Sequence, residues 1–123
     1  MCGITGGAFR DAGRVVGDDV LLRMVDTLRH RGPDGGGRYI APGVGLGVRR
    51  LSIIDPETGS QPIANETEST FVLCNGEIYN HVELRGELEA AGHVFRTRSD
   101  AEVIVHLYED DGADCVRRLR GMF

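Results

Sequence analysis

The sequence predicts an α+β fold, and three observations carry that prediction. Residues 44–54 set Val44, Leu46 and Val48 in alternation with Gly43, Gly45 and Gly47, the period of a strand. Residues 18–29, 81–91 and 102–109 repeat apolar side chains at helical spacing. Short stretches of both kinds are separated by Gly, Pro, Asn and Asp, which punctuate rather than extend regular structure.

Length and composition bound the rest. A chain of 123 residues supports one domain with one modest core. Hydrophobic residues at 41% and charged residues at 27% are those of an ordinary globular protein. A net charge of −5 argues against nucleic acid or an anionic membrane as the main partner. All 14 basic residues are Arg, so a lysine Schiff base and a P-loop lysine are excluded from this segment. Cys2, Cys74 and Cys115 are an odd set without CxxC spacing, which fits a reducing compartment better than a disulfide framework or a zinc site. The start lacks the basic and apolar pattern of a signal peptide, and no apolar run is long enough to span a bilayer. A cytoplasmic location is expected.

Residues 2–9 read as a strand in which Gly6-Gly7 admits a neighbouring backbone or bends the chain. A loop over 10–17 leads to a helix from Asp18 to about Arg29, with both aspartates Asp18 and Asp19 at its electropositive start. His30 to Gly37 ends that helix, and its three consecutive glycines read as a flexible connection. The strand over 44–54 carries a nearly bare glycine face, suited to close packing against another layer or a ligand. Arg49 and Arg50 point to opposite faces of it, one a solvated charge and the other able to reach a site. A polar loop over 59–69 precedes a strand over 70–74.

Asn80 with Glu83 resembles a capping box opening a helix from His81 to Ala91, with Val82, Leu84 and Leu88 inward and Gly92 as the stop. A strand over 94–98 follows. Ser99 with Glu102 forms a second box, opening a helix whose apolar side holds Val103, Ile104, Leu107 and Tyr108. A last helical piece covers 114–120. His30, His81, His93 and His106 share no metal-ligand spacing and read as structural or exposed, so no metal site is expected.

The chemistry starts at Met1-Cys2-Gly3-Ile4. Once Met1 is removed, as a small second residue permits, Cys2 carries a thiol and a free α-amine on one residue. Such a nucleophile needs no neighbouring His, because its own amine can take the proton. Asn75-Gly76 after a strand is either a tight turn or a pair of donors for an oxyanion. Asp100 is either a helix cap and dipole partner or a fixed anion for a ligand.

Taken in order, Met1-Cys2-Gly3-Ile4, the run from His30 to Asp34, Arg50-Leu51-Ser52-Ile53-Ile54-Asp55, Gln61-Pro62, Asn75-Gly76-Glu77-Ile78-Tyr79-Asn80, the run from Ser99 to Ile104 and Gly121-Met122-Phe123 cover nearly the whole chain. The set resembles the N-terminal glutaminase domain of glutamine-hydrolysing asparagine synthetases, within the class II glutamine amidotransferases. That resemblance implies a four-layer αββα sandwich of the N-terminal-nucleophile type, here a single domain over residues 1–123, incomplete at its C-terminus and without its synthetase domain. It implies Cys2 as nucleophile and Asn75 and Gly76 as the oxyanion hole. Arg50 would clamp the glutamine α-carboxylate, Asp100 with Glu77 would meet the α-ammonium, and backbone around Leu51 and Ile53 would line the pocket.

The same resemblance implies glutamine as substrate and a synthetase domain as partner, joined in cis or in trans. It implies no cofactor in this segment, with ATP and Mg only on the synthetase side, where aspartate would take the ammonia. Many relatives carry His where this chain has Val48. The competing expectation is a truncated, inactive remnant serving at most as a binding module.

Overall fold

A computed structural model of the chain describes residues 2–51, 55 and 57–123. In chain order these form β1 (Gly3–Ala8), α1 (Asp18–Asp26), β2 (Gly35–Ala41), β3 (Val44–Arg50), β4 (Ile63–Ala64), β5 (Phe71–Val72), β6 (Glu77–Ile78), α2 (His81–Ala91), α3 (Glu102–Asp111), a 3-10 turn (Gly112–Arg117) and β7 (Gly121–Met122). The result is a small α+β protein with several antiparallel sheets. It divides into two compact units. The first holds the described residues up to 51 with residues 60–62, and the second those from 55 to 59 with residues 63–123.

In the first unit β3 is the central strand, antiparallel to β1 on one side and β2 on the other. Its glycine face is where α1 packs. A Cβ on Gly47 would meet Val25 Cγ2 at 2.5 Å and Leu21 Cδ1 at 3.2 Å, and one on Gly45 would meet Val16 Cβ at 2.8 Å. Leu21 and Val25 are buried there, so the missing side chains on the strand make room for the apolar stripe of the helix. Gly6 serves the close backbone approach expected of it, its Cβ position lying 2.4 Å from the Gly45 carbonyl.

Gly35–Gly37 are not a flexible connection. They open β2 and pair with β3, Gly35 opposite Arg50 and Gly37 opposite Val48. A Cβ on Gly37 would fall 1.8 Å from the Gln61 carbonyl, so close approach of another segment requires glycine there. The first helix is also shorter than its apolar period, ending at Asp26. Residues 27–31 continue as tighter turns, with the Leu28 N–H on the Val25 carbonyl at 3.0 Å and Arg29 on Asp26 at 3.3 Å.

In the second unit α2 and α3 bury Leu84, Leu88, Val103 and Leu107 against Ile78 and Cys115. Each such side chain contributes about 1.5–3 kcal/mol when fully buried. The boundaries of α2 match the sequence reading, and Gly92 ends it with a φ of 109°, a left-handed conformation that favours glycine. Val82 and Tyr108, expected inward, are 66% and 51% exposed.

Neither capping box forms. The side chain of Asn80 instead donates to the Arg118 carbonyl at 3.0 Å and accepts the Arg120 N–H at 2.8 Å. Glu102 is fully buried, and its carboxylate accepts the backbone N–H groups of Arg96 at 2.6 Å and Thr97 at 2.8 Å. A carboxylate so placed satisfies backbone groups that a strand partner would otherwise take. Residues 94–98, expected as a strand, accordingly form none.

The polar loop after Gly59 contains a short hairpin, β4 with β5. Asn65, fully buried, organises its turn by accepting the N–H groups of Ser69 at 2.9 Å and Thr70 at 3.0 Å. No helix among the described residues is long and apolar enough to cross a membrane.

Candidate active site

Cys2 lies one residue before β1, and the ladder fixes what stands beside it. Gly3 is opposite Arg49, so the antiparallel register carries Cys2 to the end of β3. There the Leu51 N–H donates to Sγ of Cys2 at 3.4 Å, and the thiol lies 3.7 Å from the Leu51 carbonyl. The Cys2 carbonyl accepts Nε of Arg31 at 3.1 Å. Arg31 was not singled out in the sequence. No local period links residues 29 positions apart, so only the folded chain reveals the contact.

Arg49 and Arg50 divide as alternation along a strand requires. Arg50 is 8% exposed, whereas Arg49 is only half-buried and turns its Nε to the Gly32 carbonyl at 3.1 Å. Gly32 is needed for that arrangement, since a Cβ would meet the Arg49 carbonyl at 2.3 Å and the Arg50 nitrogen at 2.5 Å. Asp34 adds a backbone N–H to the Arg50 carbonyl at 3.1 Å. Cys2, Arg50 and Leu51 therefore share the first unit. Ile53, the other residue expected to line a pocket, lies outside the described residues.

Asn75, Gly76, Glu77 and Asp100 share the second unit. Asp100 is 6% exposed, and its Oδ2 accepts the Ile78 N–H at 2.7 Å. The carboxylate thereby sits against the segment that carries Asn75, Gly76 and Glu77. Glu77 pairs with Met122 in the β6–β7 ladder, and Tyr79 extends the contact by donating to the Arg120 carbonyl at 2.7 Å. Gly76 is closely covered, its Cβ position only 2.1 Å from the Met122 carbonyl. Oδ1 of Asn75 is buried with no hydrogen-bond partner among the described residues. A buried polar atom left unpaired costs about 1–3 kcal/mol, and such atoms are uncommon away from sites of function.

The three thiols are not equivalent. Cys74 and Cys115 are buried, while Cys2 is half-buried, and none forms a disulfide. Burial pushes the Cys115 thiol above its ordinary pKa, and the nearby Asp111 carboxylate adds to the rise.

Known proteins match the chain in sequence along most of its length. A family model described as a glutamine amidotransferase domain matches residues 1–123. Asparagine synthetase [glutamine-hydrolyzing] 1 of Bacillus subtilis is 46% identical over 106 residues, which cover 86% of this chain and 17% of that protein. Asparagine synthetase [glutamine-hydrolyzing] 1 of Arabidopsis thaliana is 50% identical over 103 residues, covering 84% of this chain and 17% of the relative. The rice protein asparagine synthetase [glutamine-hydrolyzing] 2 is 48% identical over 103 residues, with the same coverage of 84% and 17%. The chain thus spans about one sixth of the length of these relatives. With the family model matched along all 123 residues, the chain belongs to the glutamine amidotransferase domain family.

Proposed function

We propose that the chain is the glutaminase part of a glutamine-hydrolysing asparagine synthetase and that Cys2, freed of Met1, is its nucleophile. The observation that carries this reading is the seating of Cys2 Sγ against the main chain of Leu51, the residue that follows the buried Arg50 at the end of the central strand. A thiol held by main-chain groups, with a buried arginine one residue before its contact, suits an amino-acid substrate with an anionic end.

The reaction follows from the residue types. The Cys2 α-amine takes the thiol proton, and the thiolate attacks the side-chain carboxamide carbon of glutamine. The oxygen that becomes negative is held by the Asn75 side-chain N–H and the Gly76 backbone N–H, each such donor contributing roughly 2.7–4 kcal/mol of barrier lowering. The protonated α-amine returns its proton to the departing nitrogen, and ammonia leaves. A γ-glutamyl thioester remains on Cys2. Water, deprotonated by the same amine, hydrolyses it to glutamate and restores the thiol.

Arg50 is assigned to the substrate α-carboxylate and Asp100 with Glu77 to the α-ammonium, with Leu51 and Ile53 the remaining proposed substrate-binding residues. A four-layer N-terminal-nucleophile sandwich is the fold proposed for this domain. The ammonia passes to aspartate activated on a synthetase domain, in cis or in trans. ATP and Mg are assigned to that domain. A cytoplasmic setting fits three cysteines that form no disulfide.

The test is glutamate release from glutamine by the wild type, Cys2→Ala and Cys74→Ala. Activity lost in Cys2→Ala and kept in Cys74→Ala supports the assignment. Full activity in Cys2→Ala overturns it.

A further inference from the structure

We propose that Glu66, His93, His106 and Glu109 form a closed binding site for a divalent transition cation, zinc foremost. One ligand atom from each residue lies within 4.8 Å of the others. Nδ1 of His93 is 3.4 Å from Glu66 Oε1 and 3.7 Å from Glu109 Oε2. Nδ1 of His106 is 3.1 Å from Glu66 Oε2 and 3.4 Å from Glu109 Oε2. A tetrahedron with metal–ligand bonds of about 2.0–2.2 Å has edges of about 3.3–3.6 Å, so these nitrogen–oxygen separations bracket the required spacing. Two imidazoles and two carboxylates are a donor set that zinc accepts.

His106 supplies an independent reason. It is fully buried, and neither of its ring nitrogens makes a hydrogen bond, although Glu66 Oε2 lies 3.1 Å from Nδ1. Oε2 of Glu66 is itself buried and unpaired. Leaving an imidazole nitrogen buried and unbonded costs about 1–3 kcal/mol, which a metal bond on the Nδ1 lone pair removes.

The surroundings orient the donors as metal ligands are oriented. Nε2 of His93 faces Asp110 Oδ1 at 3.2 Å, and Nε2 of His106 faces Glu102 Oε1 at 3.9 Å. On His93 the hydrogen-bonded Asp110 carboxylate sets the tautomer that leaves Nδ1 for the metal, whereas the Glu102 oxygen is too distant to hydrogen-bond His106. Asn65 Nδ2 donates to Glu109 Oε1 at 2.7 Å, which turns Oε2 toward the rings. The ring of Phe95 covers His106, with centroids 4.3 Å apart. The donors come from the β4–β5 turn, the residue after Gly92 and the middle of α3. That dispersal is why spacing along the chain gave no sign of them. Four protein ligands leave no open position, so the role is structural, clamping the hairpin and the 93–98 segment to α3.

The experiment is a titration of the chelator-stripped full chain with Zn²⁺ against a chromophoric chelator, paralleled by Co²⁺ absorption. Expected are one zinc per chain and the intense visible bands of four-coordinate cobalt. His93→Ala and Glu109→Gln each weaken zinc binding at least about tenfold, and Asp110→Asn does so by roughly tenfold, the usual effect of losing an orienting carboxylate. Circular dichroism of the metal-free variants confirms that they remain folded, and His106 is left intact because it is fully buried. Cys2→Ser binds zinc like the wild type. Absence of one-to-one binding, unchanged affinity in both His93→Ala and Glu109→Gln, or loss of binding in Cys2→Ser overturns the proposal.

Discussion

The backbone N–H of Ile78 donates to Oδ2 of Asp100 at 2.7 Å, joining positions 22 residues apart in a buried setting. A carboxylate with one oxygen committed to the main chain is held in place. It is therefore a fixed anion.

Asp100→Asn keeps the shape and removes the charge. For this variant kcat/KM for glutamine should fall by about thirtyfold or more, since breaking a buried charge pair costs about 2–5 kcal/mol or more. The loss should be carried mainly by KM, because the interaction is with a non-reacting end of the substrate. Steady-state kinetics of the folded variant checks this, and an unchanged KM would remove Asp100 from substrate binding.

Gly76→Ala places a Cβ 2.1 Å from the Met122 carbonyl. The β6–β7 pairing must then give way, at a cost on the order of 1–3 kcal/mol by the usual scale of overpacking. Thermal denaturation should show a lower midpoint, and glutamine hydrolysis should fall with it. A variant of unchanged stability would mean that the two segments are less closely apposed.

Gly47→Ala asks the same of the first unit, where the added carbon meets Val25 Cγ2 at 2.5 Å. A destabilisation on the order of 1–3 kcal/mol is expected. Val25→Ala in the same background should recover part of it by vacating the space, and a denaturant titration of both variants reads the coupling.

What could be read from the sequence depended on range. The end of α2 was legible because Gly92 must adopt a positive φ, a local requirement that leaves a local sign. The glycine face of β3 was legible for the same reason, and α1 fills it. The capping boxes were not, because Asn80 and Glu102 spend their side chains on other partners, Asn80 on residues 38 and 40 positions away. Glu102 instead binds the segment before its helix. Gly35–Gly37 misled because glycine marks close packing as readily as flexibility, and only Gln61 tells which. The residues around Cys2 were named by resemblance to a family, whereas Arg31 and the His93–His106 cluster needed the fold.

Thiol accessibility gives a direct chemical prediction. Cys74 and Cys115 are buried, and the Cys115 thiol is pushed up further by burial and Asp111. Iodoacetamide at neutral pH should modify Cys2 first, and peptide mapping should find the other two unmodified until the protein unfolds. Prior alkylation of Cys2 should abolish glutamine hydrolysis.

The most direct measurement is the intact mass of the chain after brief incubation with glutamine and acid quenching, followed by mapping of the adduct. The expected result is a Met1-free chain carrying a single γ-glutamyl group on the peptide that begins with Cys2. A glutamyl group on Cys74 or Cys115, or glutamate release by a chain that retains Met1, would contradict it.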